Sequence, residues 1–173
     1  MTHQLFDETK EGRGNSKGNN WVVEGIATYM ETWEEVDGKW SPGKKVDIEI
    51  LMEAKAYLSQ HQNWSLIDFV KLGYKEFQET PDSRLHYGLG CGLCHFFLHY
   101  GDEVYKERFI QFLSAYYEGK VEEQSLAQYI KVDFSTLEKQ YKEYMSRLGS
   151  PNEEASASEQ GQGQESGHSS GRE

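Results

Sequence analysis

Apolar side chains recur along this chain at the spacing of amphipathic helices, and short segments rich in glycine, asparagine or proline separate them. The clearest stripe is Val22, Ile26, Tyr29 and Met30, at i, i+4, i+7 and i+8 of a helix expected over 21–31. Turn signals end each of the further helices. These helices are expected at 47–60, 65–78, 81–100, 104–119 and 131–149. The pattern therefore predicts a mainly α fold.

The helix expected at 47–60 has a predicted core face. Its apolar residues Ile48, Leu51, Met52 and Ala56 stand at i, i+3, i+4 and i+8, which places them on one side of a helix. We therefore expect these four side chains to point into the core.

The helix expected at 65–78 has a predicted start. Ser65 is followed three residues later by Asp68, which resembles a capping box with Asp in place of Glu. Such a pair satisfies backbone N–H groups that the first turn of a helix leaves without partners. Ser65 is therefore predicted to cap one continuous helix over this range.

One segment departs from the helical spacing. The residues ETWEEVDGKWSPGK, from Glu31 to Lys44, include Asp37 and Gly38 between two segments that contain tryptophan. Asp-Gly is favoured at the turn of a tight β-hairpin, because both turn positions require φ above zero. We therefore expect at most one short hairpin, near residues 32–42.

Composition and charge exclude several classes of protein. The chain has 173 residues, with 29 acidic and 18 basic side chains and a formal net charge of −11. This length suits one domain. No apolar stretch of about 18 residues is present, so no membrane span is expected within this chain. Lys and Arg do not cluster or interleave with aromatic residues, which argues against nucleic-acid binding.

The C-terminal segment differs in composition from the rest of the chain. Residues 150–173 carry five acidic side chains and one Arg, and consist otherwise mainly of Ser, Gly and Gln. A segment without large apolar residues cannot offset the entropy cost of ordering its backbone. We therefore expect one helical domain at 1–149 and a disordered acidic tail at 150–173.

Two short stretches carry candidate chemistry. MTHQLF contains His3, and WVVEGIATYME, which begins at Trp21, contains Glu24 in mostly apolar surroundings. In one class of zinc hydrolase, an H-E-x-x-H helix supplies two His ligands and a Glu general base, and a later helix supplies a Glu ligand. His3 and Glu24 are 21 positions apart and would be the second His and the later Glu of such a site.

This combination resembles the gluzincin metallopeptidases, in which H-E-x-x-H is followed, after an insertion of similar length, by W-x-x-E-G-x-A-x-Y-x-E. The resemblance extends to about Leu148 and is to a bacterial, peptidase-like branch related to the aminopeptidase-type catalytic domains. It implies the C-terminal helical part of a gluzincin catalytic domain, beginning within the H-E-x-x-H motif. The matching residues in the second stretch are Trp21, Glu24, Gly25, Ala27, Tyr29 and Glu31.

The resemblance implies a role for several residues. His3 would be the second zinc ligand and Glu24 the third. Tyr87, 63 residues after Glu24, would donate a hydrogen bond to the oxyanion, with Gly90 completing a Y-x-x-G segment. The alternative for Tyr87 is a core tyrosine with a satisfied hydroxyl. Three further residues would orient the zinc ligands without binding the metal themselves: Asp7, Thr28 and Glu31.

The first His ligand and the Glu base of the motif are absent from this sequence. The expected function is therefore the C-terminal portion of a zinc-dependent peptidase that acts on a peptide or protein substrate, with this chain inactive by itself. The sequence would then start at an internal methionine. The lack of a signal peptide at that position would therefore give no information on the compartment of the protein. The alternative is a non-catalytic α-helical domain that binds a partner.

The stretch LHYGLGCGLCHFFLHY leaves several interpretations open. Cys91 and Cys94 form a C-x-x-C pair, and His95 and His99 form an H-x-x-x-H pair. A thiol-redox module or a metal site is one interpretation. Because the surroundings indicate a continuous helix containing three glycines, the favoured interpretation is a small-residue face that lets another helix approach. The histidines would then lie at the edge of the core.

Overall fold

The structure, a computed structural model, describes residues 18–41, 43, 45–46, 48–121 and 125–149. These residues form eight α-helices and one β-hairpin. The helices are α1 (Trp21–Tyr29), α2 (Glu49–Gln60), α3 (Leu66–Val70), α4 (Tyr74–Gln78), α5 (Ser83–His99), α6 (Lys106–Tyr117), α7 (Ser125–Ile130) and α8 (Phe134–Arg147). The remaining elements are a 3₁₀ turn (Met30–Thr32), β1 (Glu34–Val36) and β2 (Lys39–Ser41). The prediction of a mainly α fold with one short hairpin is confirmed.

The longest described helix, α5, has 17 residues. Within the described ranges, no helix combines the length and the apolar character that crossing a bilayer requires. Helix α7 has six residues and is not among the predicted helices, because so short a segment shows little of the helical period. The tail expected at 150–173 lies outside the described residues.

The hairpin forms where the Asp-Gly pair predicts it. Strands β1 and β2 are antiparallel, and Glu35 lies opposite Trp40. Asp37 and Gly38 connect the strands with φ values of 52° and 75°. Positive φ at both turn positions matches the right-handed twist of the two strands, which is why this pair of residues is favoured there.

The expectation of a single helix at 65–78 is wrong, because the segment forms two short helices, α3 and α4. Its start is as predicted, since the Ser65 side chain accepts a hydrogen bond from the Asp68 backbone amide at 3.3 Å. Glycine has low helix propensity, and Gly73 is extended, with φ −71° and ψ 173°, just before α4 begins. The break allows Phe77 of α4 to enter the core, where it is fully buried.

The predicted core face of α2 is only partly correct. Met52 is 39% exposed and Ala56 is also exposed, although both were expected to point inward. Ala54 instead lies against Gly88 of α5. Several sets of residues on this helix satisfy the helical period, and the contact with α5 selects one of them. The buried residues of α2 are Leu51, Ala54 and Leu58.

Helix α5 lies at the centre of the fold, where glycines at alternate positions bring three other helices against it. A Cβ added at Gly88 would overlap the Ile50 carbonyl group of α2, and one at Gly92 would overlap Met145 of α8. Gly90 lies against α1. Residues two apart on a helix point to nearly opposite sides, so Gly90 faces away from the other two. The prediction that small residues allow close helix approach is confirmed, and it applies to three helices rather than one.

Helices α1 and α5 contact each other backbone to backbone. A Cβ at Gly25 would lie 2.6 Å from the carbonyl oxygen of Gly90, and a Cβ at Gly90 would lie 3.1 Å from the carbonyl oxygen of Trp21. The Trp21 side chain is fully buried, and its ring stacks on Phe109 and Phe112 of α6 with centroid distances of 6.2 Å. The start of α1 is therefore anchored in the aromatic core while its middle touches α5.

We expect Gly25→Ala to lower the free energy of unfolding. The new methyl group would lie 2.6 Å from a backbone oxygen, so the two helices must move apart, at the cost of roughly 1–3 kcal/mol that overpacking brings. Because the obstacle is rigid backbone, this cost should exceed the about 1 kcal/mol by which alanine is favoured over glycine inside a helix. Urea unfolding followed by circular dichroism measures the difference.

Gly73→Ala is the matched control for this substitution. Its Cβ would meet the Glu76 carboxylate, which is the mobile end of a side chain, so its stability should change little. Equal stability of Gly25→Ala and the unsubstituted chain would show that the two glycines do not set the helix spacing.

Candidate functional site

Glu24 lies in the first turn of α1 and is half-buried. Its carboxylate oxygen Oε1 lies 2.5 Å from Nε2 of Gln78, the last residue of α4. A carboxylate only accepts hydrogen bonds, so the Gln78 amide must be the donor. The carboxylate is thus held by a neutral group that is 54 positions away in the sequence.

Tyr87 of α5 lies near the same carboxylate. Burial, then the charge of Glu24, then the neighbouring Tyr74 raise the pKa of the Tyr87 phenol above its ordinary value. The Tyr87 ring also packs on the Phe77 ring of α4 at 5.7 Å between centroids, and Gln78, the next residue, holds the Glu24 carboxylate. Tyr87 is half-buried, whereas Tyr74, at the start of α4, is 57% exposed. Glu24 therefore lies where α1, α4 and α5 meet.

Two hydrogen bonds to main-chain carbonyl groups hold the α3–α4 connection against the start of α1. The Asn19 N–H donates to the Val70 carbonyl oxygen at 2.7 Å. The Asn20 side-chain amide donates to the Leu72 carbonyl oxygen at 3.0 Å. Because Glu24 follows within about one turn, these contacts bring the end of α4 close to its carboxylate.

Aromatic packing holds α4 on α5. The Phe77 ring lies 5.3 Å from the His86 ring and 5.7 Å from the Tyr87 ring, measured between centroids. His86 Nδ1 also lies 2.9 Å from the Phe77 carbonyl oxygen, and since a carbonyl only accepts, this ring nitrogen carries the proton. Gln78, which follows Phe77, is consequently placed by contacts that do not involve its own side chain.

The residues expected to orient the ligands have different positions. The Thr28 hydroxyl donates to the main-chain carbonyl oxygen of Glu24 at 2.8 Å, a contact within α1 that does not involve the carboxylate. Glu31 is exposed in the 3₁₀ turn after α1. His3 and Asp7 lie outside the described residues. The structure therefore brings together Glu24 and Tyr87 of the predicted site residues.

Zinc, which the resemblance implies, takes three protein ligands in a catalytic site. Glu24 fits one of them, because it is a half-buried carboxylate oriented by a hydrogen bond, as ligating carboxylates commonly are. Across the part of the chain that the structure describes, no group of three His, Cys, Asp or Glu side chains could hold a metal ion. The described residues thus supply one fitting ligand, and the other ligand predicted from this sequence is His3.

Cys91 and Cys94 are fully buried and carry free thiols. Burial, with a smaller effect from the Glu31 charge, raises the pKa of the Cys91 thiol to about 12. Burial raises the pKa of Cys94 well above its ordinary value. The thiolate is the nucleophile and the metal ligand, so both side chains are in their unreactive form at neutral pH. This environment supports the packing interpretation over redox chemistry.

His95 is a buried core histidine. Its Nε2 donates to the Gly43 carbonyl oxygen at 3.0 Å, which leaves Nδ1 to accept from the Tyr144 hydroxyl at 2.6 Å. His99 Nε2 lies 2.8 Å from the Tyr29 hydroxyl. Burial lowers the pKa of His95 to about 4, although the hydrogen bond to Gly43 opposes the shift. Both histidines thus belong to polar contacts at the edge of the core, as predicted.

The sequence pattern does not predict Gln78 or Tyr74 as site residues. Both belong to α4, which the sequence places within one longer helix, and neither occurs in the motif that points to Glu24. A glutamine near a helix end carries no distinctive signal. Only the packing of α4 between α1 and α5 shows that the Gln78 side chain adjoins the carboxylate.

Comparisons with protein families, with curated proteins and with solved structures found no match to this chain. The most specific feature of the described residues is the half-buried Glu24, which Gln78 holds while the preceding Phe77 packs on Tyr87.

We expect Glu24→Gln to lower the pKa of Tyr87. The substitution removes a negative charge that disfavours the phenolate. Carbon-13 NMR of tyrosine labelled at Cζ follows the titration, and Tyr87→Phe assigns the resonance. Glu31→Gln is the matched control, because it removes an exposed carboxylate from the turn after the same helix. An unchanged Tyr87 titration in Glu24→Gln would contradict the proximity of the two groups.

We expect His95 to make the fold sensitive to acid. Its pKa is about 4 in the folded chain and about 6.5 when unfolded, so as the pH falls the unfolded state binds the proton first. Stability is therefore lost progressively between about pH 6.5 and 4, by up to about 1.4 kcal/mol per pH unit from this group. Above that pH range the His95 side chain is neutral in both the folded and the unfolded chain, so it has no effect on the pH dependence of stability.

Urea unfolding at several pH values between about 7.5 and 4.5 measures this loss of stability. His95→Gln should reduce the pH slope within the window, whereas His61→Gln, at an exposed position, should leave it unchanged. Identical slopes for the unsubstituted chain and His95→Gln would show that His95 protonation is not responsible.

Proposed function

We propose that this chain is the C-terminal part of a zinc-dependent peptidase of gluzincin type, which hydrolyses peptide bonds in a peptide or protein substrate. Zinc would be held by His3 and Glu24 together with a histidine that this sequence does not contain. Bound zinc supplies Lewis-acid activation of water and of the peptide carbonyl. The observation that carries the proposal is that Glu24 and Tyr87 both contact helix α4, Glu24 through Gln78 and Tyr87 through Phe77.

Two features of the junction suit these roles. The Glu24 carboxylate accepts a hydrogen bond from the Gln78 amide, which orients it as ligating carboxylates commonly are oriented. Tyr87 has a pKa raised above its ordinary value, so its hydroxyl stays protonated at neutral pH. A protonated phenol can donate to the carbonyl oxygen of a peptide as negative charge develops there.

The backbone contact of α1 with α5 supports the same arrangement. Glu24 precedes Gly25 by one residue, and Tyr87 precedes Gly90 by three, while Gly25 and Gly90 touch. A rigid contact next to both functional side chains restricts their separation, as catalysis by positioned groups requires.

The printed sequence lacks the general base of the H-E-x-x-H motif as well as one histidine. Without a group to accept the proton from water, this chain should not hydrolyse peptides, and with two protein ligands it should bind zinc weakly.

A non-catalytic α-helical domain is the alternative. It is favoured by the hydrogen-bonded state of Glu24, because a half-buried carboxylate in a purely structural role also requires such a partner. In that case the hydrogen bond of Gln78 to Glu24 would serve only to satisfy a half-buried carboxylate. The two functions predict different effects on zinc affinity when the H-E-x-x-H motif is completed.

We expect that joining His-Glu directly ahead of Met1, to read HEMTHQLF, raises the affinity for zinc by at least about tenfold. Loss of even a residue that orients a ligand changes metal affinity 10–100-fold, and a full ligand should count for at least as much. Competition with a chromogenic chelator measures the affinity for Zn²⁺ alone. Glu24→Gln in the completed chain should remove most of the gain.

Gln-Glu joined ahead of Met1 is the matched control, because it adds the same length without an imidazole. Equal zinc affinities of the two extended chains would overturn the proposal. Stoichiometric zinc retained by the 173-residue chain through dialysis would also overturn it, since two ligands cannot hold the metal so tightly.

A further inference from the structure

We infer that the hairpin face carrying Glu35 and Trp40 is a docking surface for a basic, extended segment of a partner protein. This inference does not rest on the proposed function, because the hairpin follows α1 and contains none of the residues expected to bind zinc or to act beside it. Both side chains are exposed, and neither belongs to the core or to the candidate site.

The exposure of Trp40 is the first support. Its side chain is 64% exposed, which is the largest value among the large hydrophobic residues that the structure describes. Tryptophan is highly buried on average in folded proteins. It is also enriched among the residues that dominate the binding energy of protein interfaces. A ring as exposed as this one is therefore available to a partner.

The position of Glu35 is the second support. Glu35 lies directly opposite Trp40 in the antiparallel pair, and such residues project from the same face with Cβ atoms about 4.5–5.5 Å apart. Glu35 is exposed and forms no ion pair with another described residue. An aromatic face attracts a cation, and a carboxylate forms a strong hydrogen bond with one. Together the two side chains suit a Lys or Arg of a partner.

Charge selects a basic partner over a second copy of this chain. Residues 34–41 carry three acidic side chains and one basic side chain, a net charge of −2, and the chain as a whole carries −11. A surface of one sign attracts a partner of the opposite sign. Two copies of this chain would instead repel each other, so self-association through this face is disfavoured.

The strand edges indicate a polypeptide rather than a small cation. Within the part of the chain that the structure describes, β1 and β2 form a two-stranded sheet, so each strand has one edge without a neighbouring strand. Such an edge can pair with another chain. An extended segment adds to it through main-chain hydrogen bonds, while side chains at alternate positions of that segment meet the sheet face.

Contacts at the base of the hairpin lower the entropy cost of binding. The Lys45 N–H donates to the Thr32 carbonyl oxygen at 2.9 Å, and the Thr32 hydroxyl donates to the Tyr29 carbonyl oxygen at 2.6 Å. Thr32 is also fully buried. The hairpin is thereby fixed to the end of α1, so a partner meets a surface that is already formed.

Titration of the 173-residue chain with a synthetic peptide tests this inference. The probe is acetyl-Thr-Lys-Thr-Arg-Thr-Lys-Thr-amide, which has basic side chains at alternate positions and threonines that favour an extended backbone. The indole N–H resonance of Trp40, observed by nitrogen-15 NMR and assigned with Trp40→Leu, should shift and saturate. The matched peptide with glutamate at the three basic positions should leave that resonance unchanged.

Substitutions on the hairpin should weaken binding of the basic peptide, measured in every variant from the backbone amide resonances of the hairpin. Trp40→Leu keeps an apolar side chain but removes the aromatic face, and should lower the affinity roughly two- to fivefold. Glu35→Gln removes the carboxylate charge and should lower it by up to about fivefold. The matched controls are Tyr74→Leu and Glu107→Gln, at exposed positions outside the hairpin, and their affinities should be unchanged.

The lack of a saturable Trp40 shift with the basic peptide would overturn the inference, as would an equal shift with the acidic peptide. Equal weakening by the hairpin and the control substitutions would overturn it as well. If N-acetyl-lysine methylamide bound as tightly as the peptide, the face would be a site for a small cation, not for a segment. Sedimentation measures self-association, and a dimer that Trp40→Leu dissociates would assign the face to a second copy and overturn the inference.

Discussion

The backbone contact between Gly25 of α1 and Gly90 of α5 sets the helix spacing on which the rest of this structure depends. Neither residue has a Cβ, so the two helices meet at a distance that any side chain would prevent. Glu24 and Tyr87 lie within one turn of this contact, so their separation follows from it. Protein interiors are close-packed and cannot absorb an extra methyl group locally. Stability and the geometry of the candidate site are therefore coupled through the same pair of residues.

The candidate site combines this rigid contact with a break in regular structure. Helix α3 ends at Val70, and the short helix α4, which begins at Tyr74, is held in place by the buried Phe77. That arrangement brings the Gln78 amide to the half-buried Glu24 carboxylate.

Much of the fold is predictable because its signals are local. The hairpin follows from Asp37 and Gly38, whose turn conformation depends on those two residues. The start of α3 follows from the hydroxyl of Ser65, which accepts from a backbone amide three residues later. The prediction of one continuous helix over 65–78 also rests on a local signal, and it is wrong. Many helices tolerate a single glycine, so the break is visible only in the tertiary structure, where Phe77 is buried.

Helical periodicity and the stretch WVVEGIATYME were enough to indicate the mainly α class and to single out Glu24, since both depend on residues within a few turns of one another. Packing decided the rest. Met52 and Ala54 both satisfy the period of α2, and the contact with α5 buries only the second. Gln78 meets Glu24 across 54 positions of sequence. No local pattern links residues so far apart, because their contact exists only once three helices have packed together.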